Sequence, residues 1–286
     1  EQKWDPNFTD STLTLYRKYT KLAAEANSDL IIWPESALPD YLMQRYSKFR
    51  RFLDKQIKLY DTDIFTGFPR YEFAPPNHSQ KYLFYNSATL FKANKTVGNP
   101  YDKIALVPLG ERMPFLKKLP ILWKIELGQA NFSYGQGPTY YSVKDYTFSP
   151  LICFEIAFPQ LTANIMQKPT DFIVNITNDA WFKRSAGTYQ HAILTKFRAV
   201  ETRRAIYRAA NTGYSMVIDP LGRVVEKTEL YEKTTLNYPL IICKDKTFFT
   251  KYFNIIPVVC ILFSIIIISL VIVGRIRNVE ILLHDK

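Results

Sequence analysis

The chain has 286 residues, of which 47% are apolar and 15% are aromatic. This length and composition exclude a disordered chain, a collagen-like fibre and a small protein that depends on disulfides. The 37 Lys and Arg residues outnumber the 26 Asp and Glu residues, and the net charge of +11 suits either nucleic acid or anionic lipid.

Short β-type runs alternate with helix-type stretches through residues 1–243. In chain order, the predicted elements are a helix at Ser11–Ala26, a strand at Asp29–Trp33, a helix at Tyr41–Tyr60, strands at Asp63–Phe68 and Tyr85–Phe91, loops over residues 112–145, a strand at Thr147–Cys153, a helix at Phe158–Met166, a strand at Asp171–Ile176, a helix at Gln190–Ala209 and a strand at Tyr214–Ile218. This alternation predicts an α/β protein whose sheet is covered by helices.

A membrane-spanning helix is predicted near the carboxyl end. No charged residue occurs from Tyr252 to Gly274, and the run Ile255–Val273 is nearly all apolar. At 1.5 Å per residue this run is about 28 Å long, close to the hydrocarbon thickness of a bilayer. A buried core helix rarely lacks a polar face over five turns. We therefore expect a span over residues 255–274, between a linker of residues 244–254 and a short basic tail of residues 275–286.

Three chemically active residue types follow predicted strands. Glu35 lies in a Trp-Pro-Glu-Ser run, Lys103 follows Tyr101-Asp102, and Cys153 leaves an apolar strand. A thiol attacks only as the thiolate, which a nearby ammonium favours, and a carboxylate can accept the thiol proton. The residue types alone also allow non-catalytic roles: Glu35 as a solvated loop acid, Lys103 as a surface lysine and Cys153 as a small core residue.

These runs resemble the nitrilase superfamily and, more narrowly, the apolipoprotein N-acyltransferases. The motifs that carry the resemblance are WPES at residues 33–36, Y-x-K-x-x-LVP-x-GE at residues 101–111 and C-[YF]-E at residues 153–155. The resemblance implies an α-β-β-α sandwich over residues 1–243 with Glu35 as base, Lys103 as triad lysine and Cys153 as nucleophile. It also implies supporting roles for Glu111 and Glu155.

The resemblance extends to substrate-binding residues and shows two departures. It implies that Trp4 lines the acyl-chain site and makes Trp181, in the run NITNDAWF at residues 175–182, a second candidate. Phe154 stands where many members have Tyr. The opening residues resemble the middle of a family stretch, so the first strand and preceding membrane helices are expected upstream of residue 1.

The implied activity is acyl transfer through a Cys153 thioester, from a phospholipid to the amine of a diacylglyceryl-cysteine lipoprotein. The expected location is the bacterial inner membrane with the catalytic domain on the periplasmic face, and the expected state is a monomer without a cofactor. The residue types do not favour a Cys/His metal site, and nucleic acid is not an expected partner. The alternatives are an amidase that uses the same triad to hydrolyse a C–N bond, a Cys153/His191 hydrolase and a binding module with an inactive site.

An apolar and aromatic run follows Glu111, from Met113 to Trp123. We expect a loop or short helix that lies against the bilayer and shields the thioester from water. A packed core helix is the alternative, because short apolar runs do not distinguish the two.

Overall fold

The computed structural model describes residues 6–78, 80–112 and 131–284. Trp4 and the apolar run from Met113 to Trp123 lie outside these residues. The helices are α1 (Thr9–Glu25), α2 (Lys48–Tyr60), α3 (Pro159–Ile165), α4 (Ala186–Thr202), α5 (Phe248–Tyr252) and α6 (Ile255–His284). The strands are β1 (Leu30–Ile32), β2 (Asp63–Phe73), β3 (Tyr82–Phe91), β4 (Tyr101–Asp102), β5 (Tyr141–Val143), β6 (Tyr146–Ile152), β7 (Phe172–Thr177), β8 (Ala205–Ala210), β9 (Met216–Ile218) and β10 (Val224–Lys227).

The described strands form two sheets. One has the order β1-β2-β3-β4 and the other has the order β10-β9-β8-β7-β6-β5. β1 pairs with β2 in parallel, whereas β2, β3 and β4 pair antiparallel. In the second sheet, β6, β7 and β8 are parallel. The carboxyl ends of these three strands therefore meet at one edge, where α/β proteins build their sites.

Three apolar cores define the layers of the molecule. Leu53 of α2 packs with Ile64 of β2 on the outer face of the first sheet. Phe65, the next residue along β2, points to the other face and packs with Phe148 of β6 between the sheets. Ile173 of β7 belongs to a third core that also contains residues of α3 and α4. Because neighbouring residues of a strand face opposite sides, this alternation builds the predicted α-β-β-α sandwich, which is confirmed.

The predicted helix Gln190–Ala209 is wrong at its carboxyl end. Helix α4 ends at Thr202, and residues Ala205–Ala210 form strand β8. Arg203 has φ of 52°, a left-handed conformation that a right-handed helix cannot continue. β8 lies inside the sheet, so it lacks the apolar–polar alternation that marks a half-buried strand. Arg208 consequently lies in a strand, not on a packed helix.

Other predicted elements also differ from the structure in their bounds. The predicted helix Tyr41–Tyr60 begins only at Lys48, where Ser47 Oγ accepts a hydrogen bond from the Arg50 amide at 3.2 Å and caps the helix. The segment 112–145, predicted as loops, contains β5 among its described residues. This three-residue strand is too short to show a period.

The carboxyl end of the chain leaves the sandwich as a helix. Helix α5 lies within the predicted linker and is tied to α4 by a hydrogen bond from the Thr247 hydroxyl to the Glu201 carbonyl. In α6, residues Pro257–Arg275 are long and apolar enough to cross a membrane, and none of this window is buried against the rest of the chain. The helix continues to His284 and so extends into the segment predicted as a basic tail.

Candidate active site

Glu35 lies in the turn after β1, and its side chain is buried. Its Oε1 accepts a hydrogen bond from Asn86 Nδ2 at 2.7 Å, and its Oε2 accepts one from the Asn178 amide at 2.7 Å. Gly67 on β2 permits this placement, because a Cβ there would lie 2.9 Å from the Glu35 Cα. The carboxylate is therefore held from two sides by groups distant in the sequence.

Lys103 follows β4 and is 1% exposed. Its Nζ lies 2.8 Å from Glu111 Oε1 and 3.6 Å from Glu35 Oε1. Burial alone lowers the pKa of a lysine, but here the charges of Glu35, Cys153 and Glu111 outweigh it and the Lys103 pKa is raised. A buried ammonium between two carboxylates is thus the charged centre of the site.

Asn86 is a member of the site that sequence reasoning missed. It lies in β3, and its Nδ2 donates to Glu35 Oε1 at 2.7 Å and to Glu111 Oε1 at 2.9 Å. One amide therefore fixes both carboxylates that flank Lys103. An amide inside the apolar run YNSATLF is the signal that could have indicated it, because a buried polar group needs partners.

Cys153 lies where β6 ends and a short 3-10 helix, Cys153–Ala157, begins. Its φ of 52° is left-handed, a conformation that costs a non-glycine residue roughly 1–3 kcal/mol and persists only where neighbours impose it. Burial raises the pKa of the thiol to about 12, with the charge of Glu35 adding to this effect and the charge of Lys103 opposing it. The resting group is therefore a thiol, and its reaction requires a base.

Glu155 supports the backbone around Cys153 and Lys103. Its Oε2 accepts from the Ile152 amide at 2.7 Å and from the Tyr101 hydroxyl at 2.8 Å, while Oε1 accepts from the Ala105 amide at 3.2 Å. Burial raises the pKa of Glu155 to about 7, against the lowering effect of these hydrogen bonds. The carboxyl group thus ties the end of β6 to the segment after β4.

His191 lies beside Cys153 but not as a partner of the thiol. Its Nδ1 is 2.8 Å from Asp179 Oδ1, and its Nε2 is 3.1 Å from the carbonyl oxygen of Cys153. Arg208 Nη2 also lies 3.2 Å from Nδ1, so both ring nitrogens have partners other than the Cys153 sulfur. This arrangement does not support a hydrolase in which His191 takes the proton of the thiol.

The remaining predicted residues lie at the edge of the site or outside the described residues. Trp181 belongs to a short 3-10 helix, Asp179–Phe182, that begins directly after Asn178, and 76% of its surface is exposed. Phe154 packs edge-on against Phe158, so the position after the nucleophile carries no hydroxyl. Trp4 is outside the described residues.

A cavity of about 580 Å³ lies beside β1, between α1 and residues 232–240. Trp33, Tyr207 and Asn211 contribute to its lining, but Glu35, Lys103 and Cys153 do not. Within the described parts of the chain, no group of three His, Cys, Asp or Glu side chains is placed to hold a metal ion.

The arrangement of Glu35, Lys103 and Cys153 on two facing sheets can be compared with known proteins. Residues 5–240 match the model of the carbon-nitrogen hydrolase family. The chain belongs to the carbon-nitrogen hydrolase family. In fold, it is similar to an amidase from Nesterenkonia sp., with a TM-score of 0.56 and 19% identity over 77% of this chain and 81% of that one. At this identity the likeness shows the fold alone, and it confirms the predicted nitrilase-like architecture.

In sequence, this family member is similar to apolipoprotein N-acyltransferases. It is 35% identical to that of Geobacter metallireducens over 94% of this chain, and 33% identical to that of Haemophilus influenzae over 86%. The matches cover 51% and 47% of those relatives, so the chain spans about half the length of the curated relatives it matches. The resemblance predicted from the three motifs is confirmed.

Proposed function

We propose that this chain is the catalytic part of a membrane-bound N-acyltransferase. It moves an acyl chain from a phospholipid to the N-terminal amine of a diacylglyceryl-cysteine lipoprotein. The observation that carries the proposal is the buried Lys103 ammonium, which lies 3.6 Å from the Glu35 carboxylate. It is also close enough to Cys153 that the charge of each group shifts the pKa of the other. The similarity to apolipoprotein N-acyltransferases supports the same choice of substrates.

In the first half-reaction, Glu35 takes the Cys153 proton as the sulfur attacks the ester carbonyl of the phospholipid. A base is needed because the thiol pKa is raised to about 12. The Lys103 ammonium stabilises the negative charge that develops on the carbonyl oxygen. Collapse of this intermediate breaks the ester C–O bond, and Glu35 returns the proton to the leaving lysophospholipid alcohol. The product on the enzyme is a Cys153 thioester.

In the second half-reaction, the α-amine of the diacylglyceryl-cysteine attacks the thioester. Glu35 accepts the amine proton, the C–S bond breaks, and the proton passes to the Cys153 sulfur. An amide forms and the free thiol is restored. Glu111 shares the Lys103 ammonium at 2.8 Å, and Glu155 holds the backbone beside Cys153, so both act as supporting residues.

The substrates suggest where the protein works. A phospholipid donor requires a site close to a bilayer, and α6 carries an apolar window at Pro257–Arg275 that supports a membrane span over residues 255–274. We propose that a catalytic domain of residues 1–243, followed by a linker of residues 244–254, lies on the periplasmic face of a bacterial inner membrane. The protein acts as a monomer and without a cofactor. Trp181 is exposed beside the site and is proposed to contact substrate, with Trp4 as its counterpart on the acyl chain.

The test is intact-mass analysis of the full chain after incubation with phospholipid vesicles. The expected result is an increase of one acyl group in the wild type and none in Cys153→Ala, whose melting temperature stays close to that of the wild type. Replacement of Cys243 by Ser serves as the matched control and leaves acylation unchanged. An unmodified wild type, or an adduct that persists in Cys153→Ala, refutes the proposal.

The second stage separates a transferase from an amidase-type hydrolase. A diacylglyceryl-cysteine peptide with a free amine is added to the isolated acyl-enzyme, and the same peptide with an acetylated amine is added in parallel. A transferase discharges the thioester only to the free amine and yields a triacylated peptide. Equal discharge with both peptides shows that water is the acceptor and assigns the chain to hydrolysis.

A further inference from the structure

The backbone of Cys153 is held by a buried polar cluster that lies outside the Glu35–Lys103–Cys153 triad. Cys153 has φ of 52° at the junction of β6 and the 3-10 helix. Its carbonyl oxygen is 3.1 Å from His191 Nε2, and His191 comes from α4 on the outer side of the second sheet. The histidine side chain is 5% exposed, so the contact is made away from bulk water. A side chain of α4 therefore contacts the backbone of Cys153, the residue with the left-handed conformation.

The imidazole can serve this contact only as a donor. A carbonyl oxygen accepts hydrogen bonds and cannot give one, so Nε2 must carry a proton to bond with Cys153. The other nitrogen, Nδ1, lies 2.8 Å from Asp179 Oδ1, an acceptor, and 3.2 Å from Arg208 Nη2, a donor. The ring is therefore oriented by Asp179 on one side and presents Nε2 to the backbone of Cys153 on the other.

Asp179 is itself fixed, so the ring has a rigid support. Its Oδ1 accepts from the Thr177 hydroxyl at 2.9 Å, and its Oδ2 accepts from Arg208 Nη2 at 2.8 Å. Gly213 is needed for this packing, because a Cβ there would lie 2.0 Å from Asp179 Oδ2. Burial acts to raise the pKa of Asp179, but Arg208 and the hydrogen bonds outweigh it and lower the pKa to about 2.

The support continues into the sheet beneath the nucleophile. Arg208 of β8 donates through Nη1 to Asn175 Oδ1 of β7. Asn175 Nδ2 in turn donates to the carbonyl of Leu151 in β6, two residues before Cys153, at 3.0 Å. The cluster therefore links the parallel strands β6, β7 and β8, and it contacts the end of β6 at the carbonyl groups of Leu151 and Cys153.

We propose that His191 is a positioning residue for the acyl transfer: its Nε2–H holds the Cys153 carbonyl and so keeps the sulfur aimed between Glu35 and Lys103. The inference rests on the proposed function, since it assumes that Cys153 is the acylated group. His191 acts through Cys153 and does not touch the reacting atoms. Loss of this hydrogen bond lets the left-handed residue relax, which moves the sulfur away from its base.

Two amide variants separate the two ring contacts. In His191→Gln the amide nitrogen reaches the position of Nε2 and can still donate to the Cys153 carbonyl. In His191→Asn the amide nitrogen reaches only the position of Nδ1 and can donate to Asp179 alone. Both variants are made in the full chain with Cys243 and Cys260 replaced by Ser, so that every thiol reaction reports on Cys153.

Three quantities are measured for each variant: the rate of alkylation by iodoacetamide, the rate of acyl-adduct formation with phospholipid vesicles, and the melting temperature. We expect both rates to fall about tenfold in His191→Asn, the equivalent of roughly 1.4 kcal/mol, and to stay within about threefold of the parent in His191→Gln. The melting temperatures of the two variants fall together. If the alkylation and acylation rates fall by the same factor in His191→Gln and His191→Asn, in step with the melting temperatures, the positioning role is overturned.

A measurement on the unsubstituted histidine covers the case in which a variant does not fold. In a chain with His78 and His284 replaced by Gln, the ¹⁵N spectrum reports the protons of His191 alone. A proton on Nε2 is expected, and a bare Nε2 overturns the inference. If the parent forms no acyl adduct while the alkylation pattern holds, the acyltransferase proposal fails and the positioning role of His191 stands.

Discussion

Replacing Lys103 by Met removes a buried cation that faces both Glu35 and Glu111. Met has nearly the length of Lys, so the change removes charge more than volume. The ammonium lies 2.8 Å from Glu111 Oε1 and 3.6 Å from Glu35 Oε1, and both oxygens also accept from Asn86 Nδ2. Without Lys103, Glu35 and Glu111 keep their hydrogen bonds to Asn86 but lose the positive charge that lies between them.

The expected cost follows from these distances. At an effective dielectric constant of about 20, one unit charge at 3.6 Å from another is worth roughly 5 kcal/mol. Part of this attraction offsets the free energy that is needed to desolvate the lysine. Removing one partner of a buried ion pair lowers the free energy of unfolding by about 3–5 kcal/mol. For a domain of this size that corresponds to a fall in melting temperature of roughly 6–20 °C.

The raised pKa of Lys103 sets how this fall depends on pH. A lysine whose pKa is raised in the folded state contributes stability that is fully present below its unfolded pKa of about 10.4 and is lost only as pH rises above it. The deficit in melting temperature should therefore not shrink as pH rises from about 7 to about 9.

The assay is thermal unfolding in detergent between these two pH values, with Lys144→Met as the matched control. Lys144 pairs with Asp29 at 2.5 Å, but its side chain is 65% exposed, so its removal should cost at most about 1 kcal/mol. Equal losses of stability in the two variants, or a deficit of Lys103→Met that shrinks as pH rises between these values, would refute the reasoning.

Three more outcomes are expected. Because the pKa of Glu155 is raised to about 7, this carboxyl group binds a proton more tightly in the folded protein than in the unfolded protein. The melting temperature of the wild type relative to that of Glu155→Gln should therefore decrease as pH rises from about 5 to 7, and a constant difference contradicts this. Asn86→Leu removes the amide that fixes both carboxylates and should slow acyl-adduct formation by about tenfold or more in a mass-spectrometric time course, whereas an unchanged rate would show that Asn86 is dispensable. Cys260 in α6 should react in proteoliposomes with a membrane-permeant maleimide but not with a charged one, and rapid labelling by the charged reagent would argue against the span.

Local patterns were enough to predict the α/β class, most elements of the sandwich and the apolar helix of residues 255–273. Short apolar runs and helical spacing report which face of each element is buried, and a long run without charge reports a helix that cannot lie in water. The motifs around Glu35, Lys103 and Cys153 were also visible, because each combines a reactive side chain with a strand end.

Only the tertiary structure decided what surrounds these residues. Asn86 is 51 positions from Glu35, and His191 is 38 positions from Cys153, yet each makes a hydrogen bond there. Strand β8 was missed for a related reason: it lies between two other strands, so burial on both faces erases its period, and Arg208 is satisfied by Asp179 from another segment. Hydrogen bonds between buried polar groups distant in the chain leave no periodic trace in the sequence, because the fold alone brings donor and acceptor together.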